Sequence, residues 1–219
     1  KTVMTHGKEE ATMVRIDPAI GLNEWYKDEN GTDVLVSTKR NEGGFIHIVN
    51  ALNADEGKRS TFEADMVITG TVMLDGDEEK GTQDKLLVKG CIFNFANRLM
   101  PVEFSVLNPN GIKYFENLDA TPNTPVFTKV WGRQVNETII TKVVEESAFG
   151  DSQVRETKKE RKDWVITGTS TVQYEFDTEG VLTAQELKEA MSAREIHLAE
   201  MLQKQKEYQA MKNNKSNAF

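Results

Sequence analysis

Every second residue from 127 to 133 is either aromatic or cationic, a pattern that could bind a ligand at a protein surface. Successive residues of a β-strand point to opposite faces of the sheet, so the segment divides into two columns. One column, Val126, Thr128 and Val130, is apolar enough for a core. The opposite column combines rings with positive charges: Phe127, Lys129, Trp131 and Arg133.

Residues 85–95 divide in the same way. One column is apolar, with Leu86, Val88 and Ile92. The other again mixes cations with rings: Lys85, Lys89, Phe93 and Phe95. Bases of a single strand stack on aromatic rings at about 1–3 kcal/mol each, while Lys and Arg contact the phosphates. Every base has a π-face, so the two columns predict a surface that binds single-stranded nucleic acid without sequence preference.

An alternative interpretation stays open for each strand taken alone. The three phenylalanines Phe93, Phe95 and Phe127 could point into the core, with the lysines at the strand ends. Two strands with the same division favour the binding surface. Other aromatic residues could extend it: Trp25, Tyr26, Phe45 and Trp164.

The remaining candidates for chemistry do not form a catalytic or metal-binding pattern. The glycines lack the spacing of a dinucleotide fingerprint or a P-loop. The histidines His6, His47 and His197 are far apart, and none lies at ligand spacing from Cys91. Cys91 belongs to an apolar strand, where a thiol is expected to be inert, and the acidic run at 75–79 is typical of a solvated loop. We therefore expect no enzyme, no cofactor and no metal.

Five strands must position the two columns. The β pattern predicts them at about 62–74, 84–96, 101–107, 125–146 and 162–175, with a short helix or turn at 112–118. The sequence Val-Ile-Thr-Gly-Thr occurs twice, at residues 67–71 and 165–169. A glycine inside each strand suits a barrel whose first and last long strands bend sharply, although strands rich in β-branched residues also resemble one another by chance.

The flanking regions complete a three-part organisation. Residues 1–60 are expected to add strands to the same domain, with a turn at Asn30-Gly31 and strands at 33–37 and 45–49, followed by a polar loop at 53–60. Residues 61–176 form the barrel. Residues 177–219 comprise a linker, a helix to about 211 that begins with a capping box at 183–186, and a tail without pattern. The helix carries a narrow apolar stripe: Leu187, Met191, Leu198 and Leu202.

That stripe is expected to pack on the parent domain or, less often, on a second subunit, which would make a homo-oligomer. No segment approaches the roughly 18 consecutive apolar residues of a membrane-spanning helix, so no membrane is expected. The only cysteine cannot form an internal disulfide, which favours the cytoplasm. A net charge of −8 argues against a whole-protein attraction to nucleic acid but is compatible with a local basic groove.

Residues 66–137 resemble the bacterial and phage single-stranded DNA-binding proteins built on an OB-fold. The resemblance rests on Val-Ile-Thr-Gly-Thr, the strand at 85–95, Phe104-Ser105-Val106-Leu107, the short element at 111–115 and Val130-Trp131-Gly132-Arg133. Such proteins usually end in an acidic tail closing on Phe. This chain closes on Phe219 but carries Lys212 and Lys215 in place of acids, which puts recruitment of other proteins through the tail in doubt.

We therefore expect a mainly β protein with a five-stranded OB-like barrel, N-terminal strand additions and a long C-terminal helix. The resemblance implies sequence-independent binding of single-stranded DNA in replication or recombination, in a bacteriophage or bacterial mobile element acting in the host cytoplasm. The alternative is a non-catalytic protein-interaction or structural module, such as a phage assembly component or inhibitor, which would use the same β surface and which the acidic balance suits.

Overall fold

In the computed structural model of the chain, the described residues are 1–50, 59–77, 82–145, 149 and 153–216. The chain forms two compact units. The hairpin–helix unit comprises Lys1–Leu52, Phe93–Met100 and Glu175–Phe219. The barrel unit comprises Asn53–Ile92 and Pro101–Tyr174.

Ten elements follow one another along the chain. Those of the first half are α1 (Val3–Glu10), β1 (Met13–Glu29), β2 (Thr32–Val49), β3 (Thr61–Leu74), β4 (Lys85–Phe93) and β5 (Leu99–Val106). Those of the second half are α2 (Pro109–Glu116), β6 (Val126–Glu145), β7 (Gln153–Thr169) and α3 (Ala184–Ser216). The helix α1 has a kink at Gly7, whose φ is 75°.

Five strands close into a barrel in the order β3-β4-β5-β7-β6. β3 pairs antiparallel with β4 and with β6, and β6 pairs antiparallel with β7. β5 and β7 are parallel and meet at Ser105 and Val165. The expected fold class is confirmed: a mainly β protein with an OB-like barrel, an added N-terminal hairpin and a long C-terminal helix.

Some strands begin or end at other residues than the alternation of apolar and polar residues predicts. β4 ends at Phe93, not at residue 96, because the side chain of Asn94 accepts hydrogen bonds from the backbone N–H groups of Ala96 and Arg98 and forms a turn. β7 begins at Gln153, earlier than predicted, because it pairs with β6 as far as Glu145. The two strands predicted at 33–37 and 45–49 are parts of the single strand β2.

Three expectations concern residues outside the described part of the chain. They are the end of the acidic run, with Glu78 and Glu79, most of the polar loop at 53–60, and the end of the tail at 217–219.

The barrel core is filled by the apolar columns that alternation predicts. Leu86, Val88 and Ile92 of β4 are buried, as are Thr128 and Val130 of β6, while Val126 is half-buried. Aromatic rings add to this core: the ring centroids of Phe62 and Phe104 lie 4.8 Å apart, and Trp164 contacts both. Burying such rings supplies most of the stability of a small barrel.

The repeated pentapeptide extends by two residues, to Asp-X-Val-Ile-Thr-Gly-Thr at 65–71 and 163–169, where X is Met66 or Trp164. Its partner strands match too: β4 offers Val88-Lys89-Gly90 and β6 offers Val130-Trp131-Gly132. In both places Ile is opposite Gly, the repeated Gly is opposite Lys89 or Trp131, and the last Thr is opposite Val. The middle Thr is the extra residue of a β-bulge in each. We call these the β3–β4 ladder and the β7–β6 ladder.

A polar cluster joins β4, β5 and β7 near the parallel contact. The carboxylate of Asp163 accepts hydrogen bonds from Lys85 Nζ at 2.8 Å, Ser105 Oγ at 2.7 Å and the backbone N–H of Trp164 at 2.9 Å. Burial alone would raise the pKa of Asp163, but the hydrogen bonds and the charge of Lys85 outweigh it and hold the pKa below its usual value. The cluster thus reinforces the part of the barrel where strand pairing is sparse.

The hairpin–helix unit begins with the turn that Asn30-Gly31 predicts. Asn30 and Gly31 have φ of 55° and 84°, the left-handed values that a two-residue hairpin turn requires. Strand β1 then pairs with β2 almost throughout their lengths.

The helix α3 starts with the predicted capping box. The backbone N–H of Thr183 donates to Glu186 Oε2 at 2.8 Å, and the N–H of Glu186 donates to Thr183 Oγ1 at 3.0 Å. Leu187, Leu198 and Leu202 are half-buried, as expected, but Met191 is 53% exposed. The assignment of Met191 to the stripe was wrong because Ala190 and Arg194 complete the buried face instead. None of the helices in the described ranges is long and apolar enough to cross a membrane.

A nearly buried ion pair fastens α3 to β1. Arg194 Nη2 lies 2.6 Å from Glu24 Oε1, and the two side chains are only 14% and 13% exposed. Arg194 also donates to the carbonyl oxygen of Leu99 at 3.4 Å, and Gln205 donates to the carbonyl oxygen of Tyr26. These polar contacts place α3 against β1 within the hairpin–helix unit.

Candidate nucleic-acid interface

The outer column of β6 carries the predicted rings and cations. Thr128 and Val130 are fully buried, so the alternating residues face outward. Trp131 is 41% exposed and Arg133 is exposed, whereas Phe127 and Lys129 are half-buried. Within the described part of the chain Arg133 forms no ion pair, so its guanidinium group faces solvent.

Trp131 rests on Gly168 of the neighbouring strand β7. A Cβ atom at position 168 would lie 2.6 Å from Cε2 and 2.8 Å from Cζ2 of the indole, closer than such atoms approach in proteins. The glycine therefore leaves the space that the Nε1–Cζ2 side of the indole occupies. The indole thus packs against β7, while the residue remains 41% exposed.

Gly132, which follows Trp131 in the chain, packs toward the interior of the barrel. It is buried, and a Cβ atom there would collide with the carbonyl oxygen of Val165 and lie 2.8 Å from Cε1 of Phe62. The space that this glycine leaves is thus filled by β7 and by the core. It brings the two strands together and offers no room on the outer face.

Lys129 is held by carboxylates of β3. Its Nζ lies 2.7 Å from Glu63 Oε1, and Asp65 is its cross-strand neighbour. The hydrogen bond to Glu63, followed by the charges of Asp65 and Glu63, raises the pKa of Lys129. The outer face therefore has an acidic column on β3 beside the mixed column of β6.

Phe127 is partly covered by Tyr174, a residue that the sequence did not single out. The two ring centroids lie 4.8 Å apart, and the backbone N–H of Tyr174 donates to the carbonyl oxygen of Phe127 at 2.8 Å. The Tyr174 hydroxyl donates to Asp65 Oδ1 at 2.9 Å, and this bond raises the pKa of the phenol. Tyr174 follows the end of β7, so no strand periodicity could have indicated its position.

The lysines of β4 lie apart from the β6 column. β3 pairs with β6 through residues 61–68 and with β4 through residues 67–74. Lys89 is opposite Gly70 and Lys129 is opposite Asp65, a separation on the order of 15 Å along β3. Both β4 lysines have carboxylate partners: Lys85 binds Asp163 as described, and Lys89 Nζ lies 3.2 Å from Glu103 Oε1.

Phe93 and Phe95 belong to the hairpin–helix unit. Phe93 is half-buried at the end of β4. Phe95 is 96% exposed, and it lies in the Asn94 turn, outside the strand column in which alternation placed it.

The four aromatic residues suggested as extensions of the surface differ in burial. Trp164 is 8% exposed and packs in the core, so its proposed place on the surface was wrong. In the hairpin–helix unit Trp25 is 41% exposed and Phe45 is 76% exposed, while Tyr26 is half-buried.

Other chemical candidates are limited in the described ranges. Burial raises the pKa of the Cys91 thiol to about 11, so the reactive thiolate is scarce at neutral pH. No group of three or more His, Cys, Asp or Glu side chains among the described residues could hold a metal ion.

The comparisons with known proteins identify one family. A family model with the description YorF matches residues 1–207. No curated protein matches the chain, and no solved structure does.

Proposed function

The chain belongs to the YorF family, whose description names no activity, and from the surface of its barrel we propose that it binds single-stranded DNA without sequence preference. The rings of the outer face would stack on bases, and lysine and arginine would contact the phosphates. The setting proposed is replication or recombination in a bacterial cytoplasm, including that of a phage-infected host.

The strand order of the barrel supports this proposal. Five-stranded barrels of the OB type bind oligonucleotides on the face of their second and third strands and with the adjoining loops. Here those strands are β4 and β5, where Lys89 and Glu103 lie, whereas Trp131 lies on β6, outside that face. Fold alone does not imply function, so the argument depends on the side chains of the outer face.

Trp131 is the observation that carries the proposal. The residue is 41% exposed on the outer column, and its ring packs against Gly168 of β7. Arg133 lies two residues along the same column and exposes its guanidinium group. An exposed ring beside an exposed cation fits a base together with its phosphate.

The carboxylate partners of Lys89 and Lys129 do not prevent phosphate contacts. The side chains of both pairs are 37–62% exposed, and exposed ion pairs contribute only about 0–1 kcal/mol. A phosphate can therefore compete for either ammonium group. Lys85 is different, because its partner Asp163 is 13% exposed and has two further donors; its contribution to phosphate binding is expected to be the smallest.

A protein-interaction module is the second candidate function. It is favoured by the acidic side chains beside the cations, since Glu63, Asp65 and Glu103 give the outer face of the barrel both signs of charge. Mixed charge around an exposed tryptophan is also typical of protein interfaces. A second copy of the chain, bound through exposed residues of α3 such as Ile196 and Tyr208, is one such partner.

The test is binding of fluorescent oligothymidine at two salt concentrations, with duplex DNA as the control. We expect affinity for the single strand to fall as salt rises, because each neutralised phosphate releases counterions. Duplex DNA should bind much more weakly, since its bases are not free to stack. Equal affinity for both forms at each salt concentration would contradict base stacking.

Trp131→Ala makes the test specific to the proposed platform. It should lose about 1–3 kcal/mol of binding free energy with little change in the melting temperature, because the ring is outside the core. A loss of about 3–5 kcal/mol in the free energy of unfolding would instead show a core residue and would rule out the platform. Trp25→Ala removes a ring of equal exposure from the hairpin and tests whether that ring extends the surface; its loss of DNA affinity should be smaller than that of Trp131→Ala.

A further inference from the structure

We propose that Glu63 adds a preference for guanine at the single nucleotide that stacks on Trp131, within binding that is otherwise independent of sequence. This inference rests on the proposed function, since it concerns a base stacked on Trp131. Glu63 is the direct cross-strand neighbour of Trp131 on β3. Residues in that relation have Cβ atoms about 4.5–5.5 Å apart and share one face of the sheet, which brings the flexible Glu63 side chain within reach of a base that stacks on the indole.

The carboxylate is available for such a contact. Glu63 is 62% exposed in its side chain, and its Oε1 binds Lys129. Among the described residues Oε2 of Glu63 has no hydrogen-bond partner. A carboxylate offers about four acceptor positions, so the bond to Lys129 leaves most of them open.

The chemistry of the bases decides which one this acceptor selects. Guanine presents two parallel donors on its Watson–Crick edge, N1–H and N2–H, and they match the two oxygens of a carboxylate. Cytosine and adenine each present one amino group beside a ring-nitrogen acceptor, which repels the second oxygen. Thymine presents one N–H between two carbonyl oxygens. Bidentate pairs are the stronger and more selective ones, so guanine should be preferred and thymine least favoured.

Lys129 acts in this arrangement as a positioning residue. Its ammonium group fixes the Glu63 carboxylate at 2.7 Å, and its positive charge offsets the repulsion between that carboxylate and the phosphates of the bound strand. Asp65 does not substitute for Glu63, because it already accepts the hydrogen bond from Tyr174 and its cross-strand neighbour is Lys129.

The experiment uses the full chain and short fluorescent oligothymidines that carry one central guanine, cytosine, adenine or thymine. We expect the guanine strand to bind about tenfold more tightly than the thymine strand, as for a good bidentate base contact. In Glu63→Gln the ratio should fall to about twofold or less, because the amide keeps only one acceptor oxygen. Glu103→Gln removes the same charge from an equally exposed position and should keep the full ratio.

Variants of Lys129 distinguish its positioning of Glu63 from a general attraction between its charge and the DNA. Lys129→Met should reduce the guanine-to-thymine ratio, and Lys129→Arg should restore it, whatever happens to the absolute affinity. Binding of all four strands with equal affinity would overturn the role of Glu63 while leaving the proposed function intact. Failure of every strand to bind would overturn both. A guanine preference that persists in Glu63→Gln would assign it to another residue and would also overturn the inference.

Discussion

The β3–β4 ladder and the β7–β6 ladder have the same backbone design and different surfaces. Each pairs Val-Ile-Thr-Gly-Thr with Val-X-Gly, and each has its bulge at the middle threonine. In the first ladder Lys89 stands opposite Gly70, and in the second Trp131 stands opposite Gly168. The glycines on the partner strands allow the close strand approach that shapes the barrel, whereas the residue opposite the repeated glycine changes from lysine to tryptophan within the same backbone design.

The partner-strand glycines provide the largest expected effect. A Cβ atom at Gly90 would collide with the carbonyl oxygen of Val67, and one at Gly132 with that of Val165. Backbone atoms cannot rotate away, so Gly90→Ala and Gly132→Ala should each lower the free energy of unfolding by about 3 kcal/mol, the upper end for overpacking. Urea denaturation measures this. A large effect in one ladder and none in the other would show that the two are not equivalent.

The aspartates that open the two repeats should differ in their effect on stability. Asp163→Asn should cost about 2 kcal/mol, because Lys85 and Ser105 lose a charged acceptor. Asp65→Asn should cost less than about 0.5 kcal/mol, since Asp65 is exposed. Denaturant melts at neutral pH compare the two variants directly, and similar losses would mean that the buried cluster adds nothing to the barrel.

The contribution of Asp163 to the free energy of unfolding should also depend on pH. The pKa of Asp163 is lowered by folding, so its stabilisation is fully present above the unfolded value of about 3.9 and is lost as the pH falls through the lower folded value. The wild type should therefore lose more stability than Asp163→Asn between neutral pH and pH about 3. An identical acid dependence in the two proteins would contradict this sign.

Substitutions of the repeated glycines Gly70 and Gly168 should have the smallest effects on stability. A Cβ at Gly70 would meet only the carbonyl oxygen of Ala120 at 3.9 Å, whereas one at Gly168 would displace the indole of Trp131. We expect Gly168→Ala to weaken oligothymidine binding severalfold while costing under about 1 kcal/mol of stability, because a surface ring can move. Gly70→Ala is the matched control and should bind normally. Normal binding by Gly168→Ala would mean that the position of the ring does not matter.

Alternation along single strands was the most reliable guide from the sequence. It predicted which residues of β4 and β6 face the core, and the Asn30-Gly31 turn and the capping box at Thr183 were also predicted, because each depends on neighbouring residues. The equivalence of the two ladders was not predicted beyond the pentapeptide. It resides in cross-strand partners such as Gly90 and Gly132, and pairing across strands is not encoded in local periodicity.

Less of the candidate site than of the fold could be predicted from the sequence, because most of its contacts join residues of different strands. The outward position of Trp131 follows from alternation, but its support by Gly168 and the carboxylate partners of the lysines come from distant strands. Lys85 and Asp163 are separated by 78 residues. Tyr174 lies in irregular backbone after β7, where neither a period of two nor a helical period applies.

The buried pair of Glu24 and Arg194 has a consequence for the order of synthesis. The two residues are separated by 170 positions. Ribosomes add about 5–20 residues per second. The β1–β2 hairpin therefore waits about 10–30 s for the helix that completes its unit, and an isolated two-stranded hairpin is only marginally stable in water. The barrel strands are all made during that interval. The hairpin is made before the barrel strands but is completed after them, and until then Glu24 remains an uncompensated charge on an open hairpin.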